Sequence, residues 1–117
     1  KSFVTLGSLR KDILVSIGPS ISGENYLLDK KTYNDFFFSY NKHFDKKNKI
    51  NLTKNNLDNY ELISLDIKKY AYLQLLKADI DPKNIDISNK CTYSSSDEFY
   101  SWRRSKNDKR HWSVICS

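Results

Sequence analysis

The feature that most constrains this 117-residue sequence is a switch between two hydrophobic periodicities. An apolar, β-branched run covers residues 12–17 (DILVSI) and stops at Gly18-Pro19, which is typical of a buried strand followed by a turn. Aromatic residues then recur at helical spacing: Tyr33, Phe36, Phe37, Tyr40 and Phe44. A chain that uses both periods predicts a fold containing strands and helices.

Capping residues and breakers set the remaining elements. Asp29 predicts the start of the aromatic helix, which runs to about Phe44, and Asp66 predicts the start of a second helix that reaches about Ala78 and stops at Asp81-Pro82. An Asn/Lys-rich stretch, residues 45–59, predicts a long surface loop. Strands or short extended segments are predicted at residues 60–65, 85–88, 91–93, 99–104 and 111–116. This order predicts an α+β (mixed α/β) fold, a layered sandwich with helices packed on mixed sheets.

Composition excludes several classes of protein. Hydrophobic residues make up 38% and aromatic residues 14%, which is enough for a packed core. No apolar run approaches the roughly 18 residues of a spanning helix, and no secretion signal is visible, so we expect a cytoplasmic protein with reduced cysteines. The net charge of +6 is spread along the chain, which favours a solvated surface over a nucleic-acid site.

The least ordinary stretch is CTYSSSDEFYSWRRSKNDKRHWSVIC, residues 91–116. If residues 99–104 form a strand, Arg103 and Arg104 point to opposite faces, so one of them is turned toward the protein. A buried guanidinium needs a carboxylate, a phosphate or several carbonyls as its partner. Two interpretations stay open: a structural ion pair with an acid such as Asp97 or Glu98, or an anion site in a pocket.

Metal and nucleophile signals are weak within the chain. A zinc site needs three or four ligands, and here only two Cys and two His are present, without the short spacings of zinc motifs. Cys91, His111 and Cys116 could meet only if the predicted final hairpin brought them together. The sequence therefore predicts no metal ligands and no catalytic residue of its own, and Cys91 is more simply a structural thiol than a nucleophile.

Three blocks of the sequence carry a family resemblance: GPSIS at 18–22, LDIKKYAYLQLL at 65–76, and CTY followed by FYSWRR and KRHWSVI. Together they resemble the C-terminal half of the polyphenol-oxidase laccase-domain family, also described as zinc-dependent purine nucleoside phosphorylases and peptidoglycan-editing factors. The matching residues are Gly18, Pro19, Cys91, Thr92, Tyr93, Phe99, Tyr100, Ser101, Arg103, Arg104, Arg110 and Ser113. Trp102 stands where the family usually has Tyr, and His111-Trp112 stand where it has small or apolar residues.

The resemblance implies that residues 1–117 are the C-terminal part of a single laccase-like domain. The family's metal-binding and catalytic Cys and His residues lie N-terminal to the matching part, so zinc, with copper as an alternative, would be held by residues outside this chain. In the full-length protein it implies a purine nucleoside and phosphate as substrates, with adenosine deaminase side activity, and the N-terminal half as a partner. Arg103 or Arg104, with Tyr93 and Ser101 nearby, are the implied substrate contacts, and Gly18, Pro19, Cys91 and Thr92 form the structural motif.

Two other classes of function remain as alternatives. Trp102, Arg103, Arg104, Arg110 and Trp112 could form a basic module that stacks on RNA or single-stranded DNA, with salt-dependent binding. Alternatively, the chain could be a catalytically empty folding or dimer-forming relative, which would bind no metal even at full length.

Overall fold

The computed structural model describes residues 7–41, 54–57 and 60–114. The chain divides into two compact units: Gly23–Asp66 forms one, and the residues on either side of it form the other. Each combines helix and strand, and the sheets include one parallel and one antiparallel example. The predicted α+β class is confirmed, whereas the assignment of the whole chain to a single domain stays a prediction.

The Gly23–Asp66 unit is built on a three-stranded antiparallel sheet. Its strands are β2 (Leu27–Asp29), β3 (Lys54–Leu57) and β4 (Tyr60–Ser64), in the order β2-β4-β3. Leu28 lies opposite Ile63 in the register, and both side chains are buried. β3 corrects the prediction of a loop over residues 45–59: its polar Asn/Lys sequence pairs with the more apolar β4, so backbone pairing overrides its low strand propensity.

Helix α1 (Lys30–Asn41) follows β2 directly. Asp29 caps it as predicted, because its carboxylate accepts hydrogen bonds from the Thr32 backbone N–H at 2.8 Å and the Thr32 hydroxyl at 2.7 Å. Tyr33 on the predicted aromatic stripe is buried, whereas Phe38 off the stripe is 74% exposed. The predicted extension of this helix to Phe44 lies outside the described residues.

The other unit contains a two-stranded parallel sheet, β1 (Val15–Ile17) and β5 (Ile85–Ile87). β1 is shorter than the predicted strand over residues 12–17, because Arg10–Asp12 forms a 3-10 turn immediately before it. The parallel pairing continues past Gly18-Pro19 as a single bridge between Ser20 and Cys91. The GPSIS turn and the CTY segment, 69 or more residues apart in sequence, are therefore neighbours.

Helix α2 (Ile67–Lys77) belongs to the same unit and buries Tyr70. The ammonium of Lys68 on this helix donates to the carbonyls of Ser88 and Lys90 at 2.8 and 3.0 Å. The helix ends at Lys77, close to the predicted end at about Ala78. Asp79 takes a left-handed conformation with φ of 60°, and the Ile80 N–H bonds back to the Leu75 carbonyl, so a Schellman-type turn closes it before Asp81-Pro82.

The two predicted C-terminal strands are wrong. Where a strand was predicted at residues 99–104, Trp102–Ser105 forms one helical turn, α3. The Ser101 carbonyl accepts hydrogen bonds from the N–H groups of both Arg104 and Ser105. Lys106, with φ of 53°, ends the turn. Residues 111–114 form no strand, and 115–117 lie outside the described residues. The extended preference of the aromatic residues is outweighed here by local hydrogen bonds.

Candidate functional site

Arg104 organises the segment that carried the strongest sequence signal. One guanidinium nitrogen donates to the carbonyls of Thr92 and Tyr93 at 2.9 and 2.5 Å, and the other donates to the Phe99 carbonyl at 2.6 Å. The side chain is half-buried. Charge-assisted bonds from a planar fork are strong and directional, so Arg104 ties the CTY turn to the start of α3.

These contacts decide between the interpretations of the arginine pair. Arg104 is the one turned toward the protein, and its partners are carbonyls, not the carboxylates of Asp97 or Glu98. Glu98 instead forms an ion pair with Lys90. The strand alternation used for the prediction is wrong, but successive residues of a helical turn also diverge, and Arg103 is exposed while Arg104 is not.

The remaining predicted site residues surround this fork. Ser101 is buried, with 7% of its surface exposed, and its carbonyl anchors α3. Tyr93 and Thr92 are half-buried and their carbonyls are held by Arg104. Gly18 and Pro19 are exposed and precede the bridge to Cys91. The structure thus brings together Ser101, Thr92, Tyr93 and Arg104, and leaves Arg103 on the outer side of α3.

Cys91 has surroundings that the sequence did not reveal. The Ser22 N–H donates to its sulfur at 3.2 Å. Burial raises the pKa of the Cys91 thiol, but hydrogen bonds from the side chains and backbones of Ser22 and Ser94 outweigh burial and lower the pKa from 9.0 to about 6. Ser94 is close to Cys91 in the sequence and could have been noticed. Ser22 is not, because it reaches Cys91 only through the parallel pairing of residues far apart in sequence.

The described residues do not fit a metal centre by themselves. Within 7–41, 54–57 and 60–114, no three His, Cys, Asp or Glu side chains are grouped to hold a metal ion. His111, one of the three ligands considered from the sequence, instead accepts a hydrogen bond from the Tyr100 N–H through Nε2 at 2.7 Å. His43 and Cys116 lie outside the described part of the chain.

The residues that converge here define a class of protein: an α+β chain in which a GP turn meets a CTY segment locked by an arginine fork. The model of the multi-copper polyphenol oxidoreductase laccase family matches residues 1–117. The chain therefore belongs to that laccase-domain family, as the CTY and arginine blocks predicted.

Two relatives support the assignment. A purine nucleoside phosphorylase of Synechocystis sp. is 26% identical over 98% of this chain and 47% of its own length. The crystal structure of YlmD from Geobacillus stearothermophilus has a TM-score of 0.74 and 25% identity, over 89% of this chain and 36% of that protein. The chain thus spans about half the length of the Synechocystis relative and about a third of the length of YlmD. No helix in the described residues is long and apolar enough to cross a membrane.

Proposed function

We propose that the full-length protein is a cytoplasmic purine nucleoside phosphorylase and that this chain forms one wall of its substrate pocket. The support is a relative named as such an enzyme, which matches almost the whole chain, and the membership of the laccase-domain family. Within the chain, the observation that carries the proposal is the division of labour between the two arginines. Arg104 is engaged by three carbonyls, whereas Arg103 is held on an exposed face of the turn that Arg104 fixes.

The chemistry gives Arg103 a specific task. In phosphorolysis an oxygen of inorganic phosphate bonds to C1′ of the nucleoside, the bond from C1′ to the purine nitrogen breaks, and the purine leaves with its electron pair and takes up a proton. A guanidinium can hold two phosphate oxygens at once, which orients the attacking oxygen and offsets its charge. Tyr93 and Ser101 are proposed to contact substrate beside it. Arg104 acts through position, because it fixes the turn on which Arg103 stands.

The metal is assigned to residues outside this chain. Following the family resemblance, which puts the metal-binding Cys and His residues N-terminal to the matching part, the proposal places zinc, with copper as an alternative, outside this chain. This chain's residues are left with substrate contact and positioning. Deamination of adenosine, the second activity implied by the family resemblance, uses water in place of phosphate, and this difference supplies a control.

The test measures both reactions in the full-length protein with the variants Arg103→Ala and Arg103→Lys. Loss of a charge-assisted contact to phosphate should lower kcat/KM for phosphate by about 10- to 100-fold in Arg103→Ala. Adenosine deamination should be unchanged, and Arg103→Lys should recover part of the loss because it restores charge but not the fork. Arg10→Ala, an exposed arginine in the 3-10 turn before β1, is the matched control.

Three outcomes would count against the proposal. If Arg103→Ala keeps normal kinetics for phosphate, the anion site at Arg103 is wrong, whatever Arg104→Ala does. If Arg103→Ala lowers deamination as much as phosphorolysis, the arginine serves folding, not phosphate. If the sequence encoded upstream of Lys1 lacks the family's Cys and His motifs and the full-length protein binds no metal, the chain is a catalytically empty relative.

A further inference from the structure

Large aromatic side chains are concentrated on the surface near the end of the described chain. Tyr100 is 46% exposed, Trp102 is 50% exposed and Trp112 is 91% exposed. These include both tryptophans of the sequence. One exposed aromatic ring is ordinary, whereas several close together in the sequence are typical of a binding surface.

Cations accompany these rings. The ammonium of Lys109 lies 4.8 Å from the centre of the Tyr100 ring, and Lys106 and Arg110 lie 5.5 and 5.4 Å from the centre of the Trp102 ring. Between residues 100 and 112 the sequence holds Asp108 as its one carboxylate, against five arginines and lysines. We call the following set the aromatic–basic surface: Tyr100, Trp102, Lys106, Lys109, Arg110 and Trp112.

Local contacts hold this surface in place. The His111 ring accepts the Tyr100 N–H, packs edge-on against Phe99 at 5.3 Å and stacks on Tyr100 at 5.7 Å. Arg110 donates to the carbonyls of Asn107 and Lys109, both at 2.9 Å. The segment after α3 is thereby folded back toward Tyr100, so the rings of Tyr100 and Trp102 are held beside Lys106, Lys109 and Arg110 before any ligand arrives, and Trp112 follows His111 directly in the chain.

We propose that the aromatic–basic surface binds single-stranded nucleic acid, with bases stacked on Trp102 and Trp112 and phosphates at Lys106, Lys109 and Arg110. A single strand offers alternating planar bases and phosphates, which match alternating rings and cations. A duplex hides its base faces, so it could use only the charges. An acidic protein would likewise leave the rings unused.

The free energy of stacking a base on tryptophan exceeds that of the cation–π contacts which the base must displace. A cation over an exposed ring makes a weak contact, whereas a nucleic-acid base on tryptophan makes a stronger one. The displaced ammonium or guanidinium stays beside the ring, within reach of the adjoining phosphate. The surface does not include Arg103, so the proposal stands or falls independently of the phosphorylase assignment.

The experiment measures the fluorescence anisotropy of a labelled oligo-dT of about 12 nucleotides, a length within the site sizes of such proteins, mixed with the full-length protein at several salt concentrations. Trp102→Ala and Trp112→Ala should each weaken binding by about tenfold, equivalent to about 1.4 kcal/mol. Trp102→Phe should recover most of the loss because it keeps a ring. In the double variant Lys106→Gln/Lys109→Gln the slope of log K against log salt should fall by about 1.4, or about 0.7 for each phosphate contact.

A matched pair of lysines supplies the control. Lys11→Gln/Lys83→Gln removes two exposed charges from the same unit but outside the surface, and should leave the effect of the tryptophans unchanged. The proposal is overturned if this pair weakens binding as much as Lys106→Gln/Lys109→Gln, or if both tryptophan variants bind like the parent. It is also overturned if a duplex binds equally well, if no binding occurs at low salt, or if only vesicles containing phosphatidylserine are bound.

Discussion

Two regions of the chain reach an ordered structure by different means. In the Gly23–Asp66 unit the described strands form a paired ladder, and Leu28, Ile63 and Leu65 are buried. In residues 91–114 Ser101 is the one buried residue among those described, and the segment forms one short helical turn. Its order comes from backbone hydrogen bonds of turns together with side chains that bond to the backbone, above all Arg104 and His111.

The difference lies in what satisfies the backbone. In 23–66 the carbonyls are paired with N–H groups of neighbouring strands, a pattern that hydrophobic periodicity helps to specify. In 91–114 the turns have short-range backbone hydrogen bonds, and the carbonyls of three further residues are paired with the single Arg104 guanidinium, which joins these turns. In such a segment most side chains remain at the surface, where they can contact a ligand, because few of them are buried in a core.

Removal of the Arg104 guanidinium tests most directly whether this side chain stabilises residues 91–114. Arg104→Ala leaves the carbonyls of Thr92, Tyr93 and Phe99 without their donor, and it should lower the free energy of unfolding by about 2–3 kcal/mol. Arg104→Lys should recover less than half of this, since one ammonium cannot reach three acceptors in the same geometry. Urea denaturation of the full-length protein measures both values.

The neighbouring arginine is the control for that experiment. Arg103 is exposed, and contacts of exposed charges contribute little, so Arg103→Ala should lower the free energy of unfolding by no more than about 1 kcal/mol. Equal losses for the two variants would mean that charge on the turn stabilises it, and that the fork to the carbonyls does not.

A second, smaller effect should appear in the pH dependence around Cys91. Its pKa lies at about 6 in the folded protein and at 9.0 without its surroundings. A lowered folded pKa means that ionisation stabilises the fold fully above pH 9.0, and that this contribution is lost as pH falls through about 6. The free energy of unfolding should therefore rise with pH between these two values.

Thiolate absorbance in a Cys116→Ser background follows the same titration directly. Ser22→Ala should raise the pKa, because it removes the hydroxyl that stabilises the thiolate. Cys91→Ser should flatten the pH dependence of unfolding. A thiol that titrates near 9.0 in the otherwise unchanged protein would show that the serines do not stabilise its charged form.

The two regions also differ in how well their structure can be predicted from the sequence. The cap at Asp29, the strand at residues 60–64 and the extent of α2 follow from local signals in the sequence, and the structure confirms them. β3 was missed because its polar residues take their strand conformation from β4. The strands predicted at 99–104 and 111–116 are wrong: the sequence indicates that one guanidinium needs partners, but it does not show that these are the carbonyls of Thr92, Tyr93 and Phe99, whose bonds outweigh β propensity. The residues of the CTY and arginine blocks were found, but not the roles that separate Arg103 from Arg104.

The smallest prediction compares two glycines at the edges of these regions. A Cβ at Gly23 would lie 3.2 Å from the Asp66 Cβ and 3.4 Å from its backbone N and Cα, so Gly23→Ala should cost about 1 kcal/mol in the free energy of unfolding. A Cβ at Gly18 would meet no atom within 4 Å, and its backbone is not left-handed. Gly18→Ala should therefore stabilise by about 0.4–1 kcal/mol, because alanine restricts the unfolded chain. Thermal unfolding of both variants measures the contrast, and a loss at Gly18 equal to that at Gly23 would show that the GP turn needs glycine for a reason other than space.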